Sequence, residues 1–292
     1  MCGVKYGQCV RLIKFKMDLV TVIIPCYNSG KTLQRTVDSV VNQTFEKIEL
    51  IIINDGSNDN ETIKVLKTLK HAKIINQKNN GLAAARNRGF KVSKGNYLVF
   101  LDADDWLNKN TISFMLKTIK KYSSKYVLCS SLLEGDRKGI HSRHYNFFEQ
   151  LFINHVHYFM LIEKNTFYEI GGYDENMKLG YEDWEFNLRL LKNGIKFNKI
   201  DKTLFHYYVS NHGMLNSISK INHANIYNYI KIKHKDLYKV KNIIRLYFQN
   251  RNKNMNYHFF VYIIIYISSL MLPKYFYTKV YNFFYKIKLF IS

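Results

Sequence analysis

Four short apolar runs mark the first hundred positions, at 20–24, 48–53, 73–75 and 97–101. They are rich in Val and Ile and show little polar alternation, the pattern of strands buried on both faces. Pro25 closes the first run, and the turn signal Asn54-Asp55-Gly56-Ser57 closes the second. Between the runs the apolar spacing changes to that of a helix. Leu33, Val37, Val40 and Val41 recur behind Ser29, which stands where an N-cap belongs. Ile63, Leu66 and Leu69 mark a second helix, and 82–92, opening on Leu82-Ala83-Ala84-Ala85, a third. Strands alternating with helices predict βαβ units, and so an α/β fold with a Rossmann-like, mostly parallel central sheet flanked by helices.

Right-handed crossovers bring the loops that follow such strands to one edge of the sheet, where ligands bind. The polar residues gather at those ends: Tyr27-Asn28, Asn54-Asp55, and Asp102-Ala103-Asp104-Asp105. Neither a GxGxxG after the first strand nor a GxxxxGK[ST] is present, so the dinucleotide fingerprint and the P-loop are both excluded. Three carboxylates within four residues repel one another, and a hard divalent cation offsets that cost. The cluster therefore reads as a Mg2+ or Mn2+ site shared with a substrate phosphate, or as a solvated turn capping the next helix. Asp55 is placed to accept from a base N–H or a ribose hydroxyl, or to cap its own turn. Arg86 either presents its fork to a phosphate or base, or is a surface residue of its helix.

Composition adds a second theme. Apolar residues at 47% exclude a disordered chain, and four scattered cysteines without a CxxC exclude a disulfide scaffold and a cysteine-rich zinc site. The formal net charge of +22 calls for a polyanionic partner. Roughly half of that excess lies after position 228, where twelve Lys/Arg accompany one acid, Asp236. This block is also rich in aromatics, as in Tyr275-Phe276-Tyr277 and Phe283-Phe284-Tyr285. Its segment 254–273 carries no Asp, Glu, Lys or Arg and approaches bilayer-spanning length. A helix lying on an anionic membrane surface, a spanning helix and a buried core helix are the three readings, the first favoured by the basic flanks. Residues 1–16 lack the apolar run of a signal peptide and read as an N-terminal arm or a mis-annotated start before Met17. The chain thus divides into 1–16, a domain at 17–220, and a helical, basic-aromatic, membrane-associating extension at 221–292.

Taken in order, Val22-Ile23-Ile24-Pro25-Cys26-Tyr27-Asn28, Asn54-Asp55-Gly56-Ser57, Asn80-Gly81-Leu82-Ala83-Ala84-Ala85-Arg86-Asn87 and Phe100-Leu101-Asp102-Ala103-Asp104-Asp105 resemble the motifs of family 2 glycosyltransferases. A fifth block, Gly171-Gly172-Tyr173-Asp174-Glu175 followed by Tyr181-Glu182-Asp183-Trp184-Glu185-Phe186, is similar to the family's later acidic segment. The resemblance covers roughly 18–215. One departure is that many members carry Asp-Asp-Gly-Ser where this chain has Asn54-Asp55-Gly56-Ser57.

The resemblance implies the GT-A fold and an inverting, metal-dependent enzyme. It would move a sugar from a nucleotide diphosphate sugar, expected to be a UDP-sugar, to a hydroxyl of a glycan or lipid-linked glycan. Bacterial surface polysaccharide synthesis at the cytoplasmic face of the inner membrane is the implied setting. Asp183, with Glu182 beside it, is the implied catalytic base. Pro25, Tyr27, Asn28, Asp55, Gly81, Arg86 and Asp102 would bind the donor nucleotide. Asp104, Asp102 and, less directly, His212 would hold Mn2+ or Mg2+, and Trp184 would pack on the acceptor sugar or belong to the core. His206 is a further histidine of the same region. The rival readings are a non-catalytic membrane-associated scaffold and a nucleic-acid-binding protein. No nucleic-acid-binding motif is present, so no nucleic-acid partner is expected.

Overall fold

The computed structural model describes residues 18–211 and 213–287; the expected arm at 1–16 and His212 lie outside them. Strand β1 (Val20–Cys26) is followed by α1 (Gly30–Val41), β2 (Ile48–Asn54), α2 (Asn60–Thr68), β3 (Lys73–Asn76), α3 (Leu82–Val92) and β4 (Tyr97–Phe100). These are the predicted βαβ units. The first strand runs two residues beyond its expected end, because Pro25 sits opposite Ile53 and Cys26 opposite Asn54 within the parallel ladder. Ser29 precedes α1 but does not cap it; its hydroxyl donates to the Tyr27 carbonyl at 3.0 Å. Helix α3 lies hard against β1, since a Cβ on Gly89 would come within 2.3 Å of Ile23 Cγ2. Only glycine allows that approach.

The chain continues through β5 (Trp106–Leu107), α4 (Thr111–Lys121), β6 (Tyr126–Gly135), β7 (Gly139–His141), α5 (Phe147–Gln150) and β8 (Met160–Glu163). It then forms α6 (Lys164–Ile170), α7 (Glu182–Lys192) and β9 (Phe197–Val209). Among the described residues the strands make one sheet in the order β3-β2-β1-β4-β8-β6-β9-β5, with β7 paired to β6. Strands β1 to β4 are mutually parallel, and β8 enters antiparallel between β4 and β6. That reversal brings the residues leading into β8 to the same edge as the carboxyl ends of β4 and β6. The core on both faces is built of the predicted apolar runs, with Val22, Ile23, Ile24, Ile51, Ile52, Leu98 and Val99 buried.

A π-helical turn (Leu215–Ser219) leads to α8 (His223–Lys233), α9 (Val240–Asn250), α10 (Phe259–Met271) and α11 (Lys274–Ile287). The extension is helical as expected, but the boundary at 220/221 does not separate two cores. Tyr227, Ile230, Tyr262 and Tyr277 share a second apolar cluster with Phe148, Phe152, Trp184 and Leu188. A buried carboxylate fastens the two parts. Glu149 accepts from the Asn256 backbone N–H (2.5 Å), from Asn256 Nδ2 (2.6 Å) and from the Tyr262 hydroxyl. Burial raises the Glu149 carboxyl, and these donors oppose the rise.

Helix α10 buries Tyr262 and Ile265 and turns Phe260, Ile264, Ile267 and Met271 outward, spaced three to four residues apart on one face. Among the described residues no helix is long and apolar enough to cross a membrane. The spanning alternative for 254–273 is met by a helix of 13 residues, against about 20 needed.

Asn256→Ala strips a donor from buried Glu149. The unfolding free energy in urea is expected to fall by about 1–3 kcal/mol; an unchanged midpoint would show that Glu149 does not fasten the extension.

Candidate active site

The loops after β1, β2 and β4 form the predicted polar edge. Tyr27 is exposed there, with 47% of its surface open, while Pro25 is buried in the strand that leads to it. Asn28 adopts a left-handed φ of 50° and clasps the loop after β2, its Oδ1 accepting from Asn58 N–H (2.9 Å) and its Nδ2 donating to Asn58 Oδ1 (2.9 Å). Asp55 is buried and turned inward. It accepts from Gln77 Nε2 (2.7 Å), Asn80 N–H (2.9 Å) and Gly81 N–H (2.9 Å), which fixes the loop that opens α3. A carboxylate has about four acceptor positions, so these bonds leave little for a nucleotide.

Arg86 is neither a surface residue nor a fork aimed at phosphate. It is 1% exposed and donates to Asp102 Oδ1 through Nη2 (2.6 Å) and to Glu182 Oε1 through Nη1 (2.5 Å). Its guanidinium lies over the rings of Tyr158 (4.7 Å) and Tyr173 (5.3 Å). Burial alone would lower its basicity, but the Asp102 and Glu182 charges reverse this and hold it well above the ordinary arginine range. The neighbouring Asn87 docks the later glycine-rich block onto the same helix. Its Nδ2 donates to the Tyr173 carbonyl (2.8 Å) and its Oδ1 accepts from Tyr173 N–H (2.9 Å). A Cβ on Gly172, at φ +66°, would meet that Oδ1 at 2.8 Å.

The acids after β4 divide by role. Asp102 keeps Oδ2 outside the ion pair. Asp104 is pushed up to about 7 by burial and then by the Asp102 charge. Asp105 is fully buried, accepting from the Tyr158 hydroxyl (2.5 Å) and from Tyr208 N–H (2.7 Å), and so pins β4 to β8 and β9. Burial raises it well above the usual carboxylate range. Among the described residues no group of three or more His, Cys, Asp or Glu side chains is placed to hold a metal. His206 stacks on Trp106 (4.7 Å between centroids) and sits between Asn108 Oδ1 (2.8 Å) and Glu134 Oε1 (3.1 Å).

Glu182 and Asp183 open α7, but they are not equivalent. Glu182 is committed to Arg86. Asp183 faces a cavity of about 170 Å3 that Arg86, Asp102, Asn154 and Tyr158 also line. Its Oδ1 accepts from Trp184 N–H (2.8 Å) and Asn154 Nδ2 (3.2 Å). Burial, and then the adjacent Glu182 charge, push it up to about 7. Trp184 points the other way. It has no exposed surface, stacks on Tyr227 (5.5 Å) and donates to the Gln150 carbonyl (2.6 Å), so it is core and not an acceptor platform.

The Glycosyl transferase family 2 model matches residues 21–183, more than half of the chain, and the Glycosyltransferase like family 2 model matches 126–264. The chain belongs to glycosyltransferase family 2. It is 40% identical over 128 residues to the Escherichia coli UDP-Glc:alpha-D-GlcNAc-diphosphoundecaprenol beta-1,3-glucosyltransferase WfaP, covering 41% of this chain and 51% of that one. It is 40% identical over 130 residues to the Staphylococcus aureus poly(ribitol-phosphate) beta-N-acetylglucosaminyltransferase TarP, covering 42% and 40%. It is 33% identical over 143 residues to the Streptococcus pneumoniae glycosyltransferase GlyA, covering 47% and 20%. The matches thus span about a fifth to a half of these relatives' own length. The crystal structure of S. aureus TarS 1-349 with UDP-GlcNAc superposes at a TM-score of 0.63 and 16% identity, over 92% of each chain. The fold is therefore the GT-A fold.

For this family 2 chain, the motifs located the edge but not the wiring beneath it. Tyr158 and Asn154 carry no motif, yet they support Asp102 and Asp183. The signal available for them was only their place just before, and at the start of, a short apolar run at 158–162. Arg86→Met removes the one cation between two carboxylates. Chemical unfolding is expected to show a loss of about 3–5 kcal/mol, and Arg86→Lys to recover only part, since one ammonium cannot fork to both acids.

Proposed function

We propose that the chain transfers a sugar, with inversion, from a nucleotide diphosphate sugar to a hydroxyl of a glycan or lipid-linked glycan acceptor. A UDP-sugar is the donor in this reading, and bacterial surface polysaccharide synthesis is the setting. The observation that carries it is Asp183, a carboxyl lifted to about 7 and facing the cavity beside Asp102. The printed activities of WfaP and TarP, and the UDP-GlcNAc bound to TarS, support the substrate class.

In the reaction, the acceptor oxygen bonds to the anomeric carbon as the bond from that carbon to the diphosphate oxygen breaks. The electron pair leaves with the diphosphate, and the acceptor proton passes to the Asp183 carboxylate. Asp183 is half ionised at its raised pKa and increasingly ionised above it, so it is a base matched to neutral pH. Glu182 acts through Arg86 and positions the start of α7. Tyr27 offers its exposed ring to the nucleobase, and Asp55 and Asn28 hold the loops around it.

Asp104 and the free oxygen of Asp102 fit a Mn2+ or Mg2+ ion, which would offset their mutual repulsion and supply charge to the leaving diphosphate. Two carboxylates suit a cation completed by water and substrate phosphate. The outward apolar stripe of α10, with the lysines of α11, suits a peripheral place on an anionic membrane.

Asp183→Asn is expected to lower kcat by roughly 100-fold or more. In the wild type kcat/KM should rise with pH through a limb centred near 7, since the base is protonated below it. A wild-type rate flat between pH 6 and 8 would exclude Asp183 as base. Asp104→Asn should raise the Mn2+ concentration for half-maximal transfer by at least about tenfold; an unchanged value would remove Asp104 as a ligand.

A further inference from the structure

Helix α1 does more to the acid turn than pack beside it. Leu33, Val37 and Val40 bury its apolar face in the core. Thr36 and Ser39, with Gln43 just past the helix end, follow at spacings of three and four residues and bond in turn to the chain that follows β4. Thr36 Oγ1 lies 2.9 Å from the Ala103 carbonyl and 2.7 Å from the Asp105 carbonyl. Arg35 Nη2 donates to the Asp104 carbonyl between them at 2.9 Å. Ser39 Oγ accepts from Leu107 N–H (3.1 Å). Gln43 donates to the Asn108 carbonyl (2.8 Å) and accepts from Ile112 N–H (3.1 Å). Three successive carbonyls of the acid turn, those of Ala103, Asp104 and Asp105, therefore face α1.

Thr36 makes the most demanding of these contacts. A hydroxyl carries one proton, and two carbonyls converge on it. The usual bond of a helical threonine, to the carbonyl four residues back, is stretched to 3.4 Å at Thr32. Thr36, Ala103 and Asp105 are all buried, so solvent does not replace a lost donor. The helix is itself anchored. A Cβ on Gly30 would come within 2.5 Å of the Thr62 backbone nitrogen in α2. Arg35 lies 3.6 Å over the Trp106 ring, which also stacks on His206 of β9.

The acids of the turn are thus placed by different means. Arg86 takes the Asp102 carboxylate, and Tyr158 and Tyr208 take that of Asp105. For Asp104 the hold is on the backbone: Arg35 takes its own carbonyl, and Thr36 takes the carbonyl on either side.

We propose that Thr36, with Arg35 beside it, is a positioning residue for the transfer reaction. It fixes the Ala103–Asp105 backbone and so sets where the Asp104 carboxylate stands. The inference rests on the reading of Asp104 as a cation ligand and adds a buried residue that acts through the turn. Holding the peptide units leaves the Asp104 carboxylate only its own side-chain torsions to search, so it meets a cation already placed beside Asp102.

Thr36→Val keeps the shape of the side chain and removes the proton, whereas Thr36→Ser keeps the proton. Hydrogen–deuterium exchange of the full chain without ligand, read by mass spectrometry, should quicken at 102–108 in Thr36→Val by about tenfold or more. It should stay unchanged in β2 and β8. Calorimetric titration of Mn2+ into the UDP-saturated protein should give a Kd raised about tenfold in Thr36→Val. The UDP Kd measured without Mn2+ should stay near the wild-type value, since other bonds hold the loops of Tyr27 and Asp55, among them Asn28 to Asn58 and Gly81 to Asp55. Thr36→Ser should return both exchange and Mn2+ affinity close to wild type, as a role limited to filling space would not. Arg35 is exposed, so Arg35→Gln decides by the same local exchange should Thr36→Val fail to fold. An unchanged Mn2+ Kd in Thr36→Val, unchanged exchange at 102–108, or exchange that quickens evenly along the chain would each overturn the proposal. If the wild type takes up no UDP or no Mn2+, the donor or cation reading above fails, while local exchange still decides whether Thr36 fixes the turn.

Discussion

A buried guanidinium holds this site together. Arg86 joins α3, the end of β4 and the start of α7 through one fork, and the rings of Tyr158 and Tyr173 cover its faces. Removing three charges from water is costly, and only good geometry among all three offsets it. Asp102 is thereby fixed at the sheet edge, and Glu182 is tied to the same guanidinium. Asp183, one residue on, is left to feel a negative neighbour on one side and the cavity on the other. The chemistry proposed for Asp183 depends on its neighbour being fixed elsewhere. Asn87 adds a mechanical counterpart by clamping the Gly172-Tyr173 backbone to the same helix.

The second constraint comes from the far end of the chain. Helix α7 presents Asp183 to the cavity on one face and Trp184 and Leu188 to the aromatic core on another. That core is completed by Tyr227, Tyr262 and Tyr277 and latched through Glu149 to Asn256. The C-terminal helices are thus part of what aims Asp183, as well as a surface with an apolar stripe. The large positive excess divides accordingly. Some of it lies on the outward helices, and some, in Arg137, Arg143 and Lys220, lines the cavity itself.

Much of the first half was legible from spacing alone. The β-branched run at 20–24 and the apolar runs at 48–53 and 97–101 give strands wherever they are buried, and helical spacing between them leaves few alternatives to a βαβ sheet. The motif blocks likewise led to the right edge. The end of β1 was misread because Pro25 usually ends a ladder, yet here it takes a place with no donor needed. Trp184 was left between acceptor platform and core, and Arg86 between phosphate and surface. Neither question can be answered from a residue type, since both side chains serve either purpose.

The sequence by itself determined which residues stand at the carboxyl ends of the strands, because strand periodicity and right-handed crossovers leave that edge little freedom. It also determined that the C-terminal block is helical and basic-aromatic. Only the tertiary structure decided which charges meet. Arg86 lies 96 positions before Glu182, and Glu149 lies 107 positions before Asn256. Spacing along a chain carries no information about partners that distant, and ion pairing depends on distances of a few ångströms and on the water excluded around them. The different surroundings of the acids, paired in Glu182, latched in Glu149 and facing the cavity in Asp183, follow from that exclusion.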